Sequence, residues 1–141
     1  MCGIIAGISP QVVDILLLGL KQLQNRGYDS AGLACLFDNK ISITKRAGKV
    51  KELQEAINTK KISKDFSTIG ISHTRWATHG EPNHKNAHPH IDQSKKITLV
   101  HNGIVENYNS IKKFLLSKKI QMQFYYLQQE LEKHWLFLYL Y

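Results

Sequence analysis

Met1-Cys2-Gly3-Ile4-Ile5-Ala6-Gly7-Ile8 opens the chain, and the reading of this stretch decides the fold. Gly3 to Ile8 is a short apolar run of the kind that forms a buried strand, with glycines that let another backbone come close. Cys2 is thereby carried at the start of a rigid element. Methionine removal favours a small second residue, and here it leaves Cys2 with a free α-amine of pKa about 8 beside a thiol of pKa about 8.5. Such an amine can take the proton of its own thiol, directly or through a water, as the amine of an N-terminal Thr does for its hydroxyl. Nucleophile and base then share one residue.

Outward from this strand, Ser9-Pro10 is a helix-start signal, and Val13, Leu16, Leu17 and Leu20 recur at helical spacing, which predicts a helix from about Pro10 to Asn25. Val12, Ile15 and Leu18 widen its apolar face, so little of it is expected to stay wet. Arg26 to Gly32 is dense in turn formers and reads as a loop leading into a strand from Leu33 to Phe37. Asp38-Asn39-Lys40 turns the chain into a second strand, Ile41 to Lys45. Cys35 lies mid-strand as a small buried hydrophobe. Residues 49–58 form an amphipathic helix, Ser67 to Ser72 and Lys96 to Val100 are strands, and a further helix starts near Glu106 with Ile104, Tyr108, Ile111 and Leu115 on one face.

At 141 residues the chain has the size of one ordinary domain. Cys2 and Cys35 are its only cysteines, too few for a disulfide framework, and a free thiol nucleophile belongs in a reducing compartment, so the cytoplasm is the expected location. The run from Val12 to Leu20 is interrupted by Asp14 and has no positive residue before it, which excludes a signal peptide, and no stretch is long enough to span a membrane. The net charge of +8 comes from sixteen lysines and three arginines, scattered rather than striped with aromatics. A solvated basic surface is the reading, not a nucleic-acid partner.

Two constellations bear chemistry. Six of the seven histidines, His73, His79, His84, His88, His90 and His101, fall within 29 residues, in a segment from His73 to His90 that also holds Gly80, Pro82 and Pro89. With no helical or strand period it reads as a binding loop and not as a core element. Its spacing matches no metal-ligand frame, so no metal is expected and the histidines are assigned to hydrogen bonding. The second constellation joins Cys2 to Asn102-Gly103. A thiolate attacking a carboxamide makes an oxyanion, which a side-chain amide and a backbone N–H can hold together.

These motifs resemble those of the class II glutamine amidotransferases, N-terminal-nucleophile hydrolases whose first mature residue is Cys. Met1-Cys2-Gly3-Ile4, Arg26 to Gly32, His73 to Pro82, Asn86 to His90 and His101 to Ile104 with Glu106-Asn107 occur in the family's order. Tyr28, Trp76-Ala77-Thr78-His79 and His88-Pro89-His90 look like the glutamine–fructose-6-phosphate aminotransferase branch. The resemblance implies an α+β fold, the N-terminal part of an αββα sandwich of antiparallel sheets, and no cofactor. It implies that Cys2 attacks the side-chain amide of L-glutamine, that Asn102 and Gly103 hold the oxyanion, and that Arg75 pairs with the substrate α-carboxylate, with Thr78 and His79 completing that pocket. Trp76 is implied at the gate through which ammonia leaves.

The resemblance covers residues 1–119, a partial domain, and residues 120–141 form a divergent tail that reads as out-of-frame sequence. That tail lacks the family's Glu-Thr-Asp-Thr-Glu-type segment, whose Asp binds the substrate α-ammonium, and no sugar isomerase module is present. The expectation is an incomplete sandwich with open sheet edges, weak or absent turnover, and, as the alternative function, a non-catalytic glutamine-binding or docking fragment that needs a separately encoded remainder.

Overall fold

The computed structural model describes residues 2–59, 67–77, 81–103, 107–118 and, for the backbone, 134–139. In chain order the elements are β1 (Gly3–Ile8), α1 (Val12–Leu23) with a 3-10 turn (Gln24–Arg26), β2 (Ser30–Phe37), β3 (Lys40–Ala47), α2 (Val50–Thr59), β4 (Ile69–Arg75), β5 (His90–Ile91), β6 (Ile97–Asn102), α3 (Tyr108–Ser117) and β7 (His134–Tyr139). Four strands make an antiparallel sheet in the order β1-β4-β2-β3, and three make a second in the order β5-β6-β7.

The period of two along β2 sorts its residues into two cores. Ala31, Leu33 and Cys35 face Val12, Val13, Leu16, Leu17 and Leu20 of α1 and Val50, Leu53 and Ile57 of α2. Ala34 belongs instead to a smaller cluster with Ile71 and Val100, flanked by Ile4, Ile41, Ile43 and Ile69. Helices therefore cover one face of the first sheet and the second sheet covers the other. This is mixed helix and antiparallel sheet, of the expected α+β class. Gly70 on β4 is what lets α1 come close, since a Cβ there would lie 2.7 Å from Leu16 Cδ1. Leu16 is fully buried, and Leu16→Ala is expected to cost about 3 kcal/mol, as core leucine truncations do, measured by urea unfolding.

Several expectations change. The first helix starts at Val12, with the Ser9 hydroxyl accepting from the Gln11 N–H, and Ile15 and Leu18 lie exposed on its outer face. A helix on one sheet can bury only the stripe that faces it, so the wider apolar face stays wet. Ser30 to Gly32, read as loop, are the first residues of β2. Asp38 and Asn39, at φ of 47° and 54°, form the tight hairpin to β3 that their residue types favour.

The largest correction concerns the histidine-rich segment. His73 to Arg75 complete β4, His90 opens β5, and His73, His88, His90 and His101 are all buried. Imidazole rings held neutral pack as aromatics: His73 and His88 stack at 4.4 Å between centroids, and His88 and His90 meet edge-on at 4.4 Å. In the tail, His134–Tyr139 forms β7 and pairs with β6 from Asn102 to Ile97, so one edge of the second sheet that was expected to be open is taken.

Candidate active site

β1 and β4 run antiparallel with Gly3 opposite Thr74 and Ile4 opposite His73. This register brings Cys2 to the C-terminal end of β4, where the Gly3 N–H donates to Thr74 Oγ1 at 3.2 Å. The Trp76 N–H then donates to Cys2 Sγ at 3.3 Å. Burial pushes the Cys2 thiol up, and the Trp76 N–H offsets part of that rise. Cys35, by contrast, is sealed in the helix-side core with its thiol raised to about 11, inert as expected of a packing residue.

β6 delivers Asn102 from the second sheet. Its Nδ2 donates to the Cys2 carbonyl oxygen at 3.2 Å, and its Oδ1 lies 2.8 Å from His73 Nε2. Gly103 follows at φ 141°, a left-handed conformation that glycine takes at little cost and that turns the chain sharply off the strand. Asn102, with Gly103 next to it in the chain, is thus set against the backbone of Cys2.

Arg75, the last residue of β4, is 8% exposed, which for a guanidinium demands partners. One nitrogen donates to the Glu81 carbonyl at 3.4 Å and lies 4.0 Å from Asp29 Oδ1. Trp76 is partly exposed and sits edge-on to Tyr28 at 5.1 Å. Thr78 and His79 lie outside the described residues.

Asp29 is a site residue that the sequence reading passed over. Its carboxylate accepts from the Ser30 hydroxyl at 2.9 Å and from the Ala77 N–H, and it faces Arg75. Its backbone N–H donates to the Arg75 carbonyl at 3.3 Å. Asp29 therefore holds the chain on both sides of Trp76. The signal was present in the Arg26-to-Gly32 block, where a carboxylate stands among turn formers, but its partners Arg75 and Ala77 lie more than forty positions away. Glu81 and Asn86 were missed similarly: Asn86 Nδ2 donates to the Glu81 carbonyl at 3.0 Å, which draws the return of the segment onto the Arg75 side.

No family model matches the chain. It is similar to the glutamine–fructose-6-phosphate aminotransferase [isomerizing] of Pyrococcus horikoshii, at 51% identity over 119 residues, 84% of this chain and 19% of the relative. The same-named enzymes of Clostridium perfringens, 48% identical over 119 residues, and Haemophilus ducreyi, 53% identical over 114 residues, are similar in extent. The chain spans about a fifth of the length of these relatives, 18% to 19%. Among solved structures it resembles the glutamine phosphoribosylpyrophosphate amidotransferase of B. subtilis, with TM-score 0.67 at 24% identity over 86% of this chain and 26% of that one. It also resembles an allosteric regulatory enzyme of purine biosynthesis, with TM-score 0.71 at 25% identity over the same shares.

Proposed function

We propose, from the likeness of this chain to these relatives over 84% of its length, that it is the glutaminase portion of a class II glutamine amidotransferase, hydrolysing L-glutamine to glutamate and ammonia. The observation that carries the proposal is that Trp76 and Asn102, 74 and 100 positions away in sequence, each come within hydrogen-bond distance of Cys2.

In this reading Cys2 Sγ attacks the glutamine δ-carbon. Because burial raises the thiol, its proton needs an acceptor, and the α-amine set free with Met1 is beside it. The tetrahedral oxyanion is held by Asn102 Nδ2 and the Gly103 N–H. Collapse breaks the C–N bond, the ammonium returns its proton to the leaving nitrogen, and ammonia departs past Trp76. A water then hydrolyses the thioester, giving glutamate and the free thiol. Arg75 takes the substrate α-carboxylate through its planar fork, with Thr78 and His79 beside it. Residues 1–119 carry this unit and residues 120–141 are a divergent tail. A free thiol nucleophile works under reducing conditions, and we place the protein in the cytosol. Among the described residues no helix is long and apolar enough to cross a membrane.

Intact mass after incubation with a glutamine-analogue electrophile tests the proposal. A single adduct is expected on protein lacking Met1, slowed at least tenfold by glutamine and absent in Cys2→Ala. Folded, Met1-free protein that takes no adduct defeats the catalytic reading. Glutamine binding without an adduct favours the non-catalytic fragment, which a separately encoded remainder would complete.

A further inference from the structure

Asn102 bears a carboxamide with two unlike ends, and only one orientation presents N–H groups to the thiol. The Cys2 carbonyl oxygen 3.2 Å away can only accept. The end of Asn102 that faces it must therefore be the amino group, which turns Oδ1 toward His73 Nε2 at 2.8 Å. Oδ1 can only accept as well, so Nε2 must carry a proton. Burial pushes the His73 pKa down to about 4, so near neutral pH the ring has one N–H to give. Its other nitrogen, Nδ1, is buried and has no hydrogen-bond partner among the described residues. A proton placed there would be an unsatisfied donor, and Nε2 would then face Oδ1 lone pair to lone pair. Flipping Asn102 to cure that clash would set its oxygen against the Cys2 carbonyl.

The ring is also held against rotation. It sits on β4 between Ile4 of β1 and Gly32 of β2 and stacks on His88. His88 is in turn seated because Gly32 has no side chain: a Cβ there would lie 2.1 Å from the His88 carbonyl oxygen.

From this chain of donors we infer that His73 is the positioning residue that fixes the polarity of the Asn102 carboxamide. Its Nε2–H donates to Oδ1, Nδ2 donates one N–H to the Cys2 carbonyl, and the second Nδ2 N–H is left to meet the oxyanion. The catalytic meaning of this order rests on the glutaminase reading, whereas the order itself does not.

Two measurements test it. In 15N-histidine-labelled wild-type protein, long-range proton–nitrogen NMR at pH 7 is expected to show His73 as the Nε2–H tautomer, assigned by the signals lost in His73→Gln. A Nδ1–H tautomer, or averaging between the two, overturns the inference. In turnover, His73→Leu is expected to lower kcat for glutamine by about 10²-fold or more, the loss typical of a misplaced oxyanion donor, with KM changed by less than about threefold. His73→Gln, whose amide can donate from nearly the same place, should restore kcat to within about tenfold of wild type. His73→Leu combined with Asn102→Ala should be no slower than Asn102→Ala alone. Equal losses in the Leu and Gln variants, or additive losses in the double variant, overturn the inference. A wild-type chain that neither labels at Cys2 nor releases ammonia defeats the glutaminase reading, while the tautomer still decides the role of His73.

Discussion

Acidification from pH 7 to pH 5 is expected to remove on the order of 4 kcal/mol of folding stability, from the titration of His73 and His90. Burial is the first cause in both, with neighbouring positive groups adding to it, and it pushes His73 down to about 4 and His90 to about 3. A histidine whose folded pKa lies below its unfolded value of about 6.5 binds its proton more tightly when the chain is unfolded. Its contribution is present above that value and is lost as the pH falls toward the folded pKa, each unit of pH costing about 1.4 kcal/mol per group. At pH 5 that is about 2 kcal/mol for each ring. His88, lowered by burial and by His73 and His90 on either side, moves in the same direction, and so does His101 through burial. Lys45 and Arg75 face the pile with positive charge and make each added proton worse. Against a typical total of about 5–15 kcal/mol, such a loss is a large share of the whole. Urea unfolding across pH 4.5–7.5 measures the slope. His90→Gln should flatten it, and a profile level down to pH 5 would mean that these rings are not buried together.

Asp29→Ala is expected to destabilise the chain by about 3 kcal/mol, because it withdraws a carboxylate from beside a buried guanidinium and from the Ala77 N–H at once. The same change is expected to weaken glutamine protection of Cys2 at least tenfold. Arg75, proposed to grip the substrate α-carboxylate, loses the group that orients it, and the chain after Trp76 loses its hold on β2. Asp29→Asn keeps one oxygen for the Ala77 N–H and turns an amino group toward the Ser30 hydroxyl, which can accept from it, so it should cost about 1 kcal/mol and weaken protection less. Thermal unfolding and labelling rates with graded glutamine separate the two variants. If both behave alike, Asp29 acts through charge on Arg75 and not as a latch on the loop.

How much of this was legible in sequence depended on the range of the interaction. Local grammar carried the elements: helical spacing in α1 and α2, and Asp38-Asn39 for the hairpin. It placed Cys2 just ahead of a strand and Asn102-Gly103 at a strand end. It misread the two ends of the segment, His73 to Arg75 and Asn86 to His90, because period rules count histidine as polar and have no way to know that one imidazole will bury another. It overlooked Asp29 because a carboxylate in a turn announces nothing about a backbone N–H 48 positions away.

The sequence by itself carried the resemblance to the class II glutamine amidotransferases, through short motifs in a set order, and with it the candidate chemistry of Cys2, Arg75, Asn102 and Gly103. It also determined which faces of β2 and α1 are apolar, since side-chain period follows from backbone geometry alone. Only the tertiary structure decided that the two ends of the histidine segment, His73 to Arg75 and Asn86 to His90, are core, that β7 pairs with β6, that Asp29 holds the Arg75-to-Ala77 chain, and that His73 lies against Asn102. Those are pairings between elements, set by sheet register and by the desolvation that close packing imposes. Neither quantity exists until the strands have met.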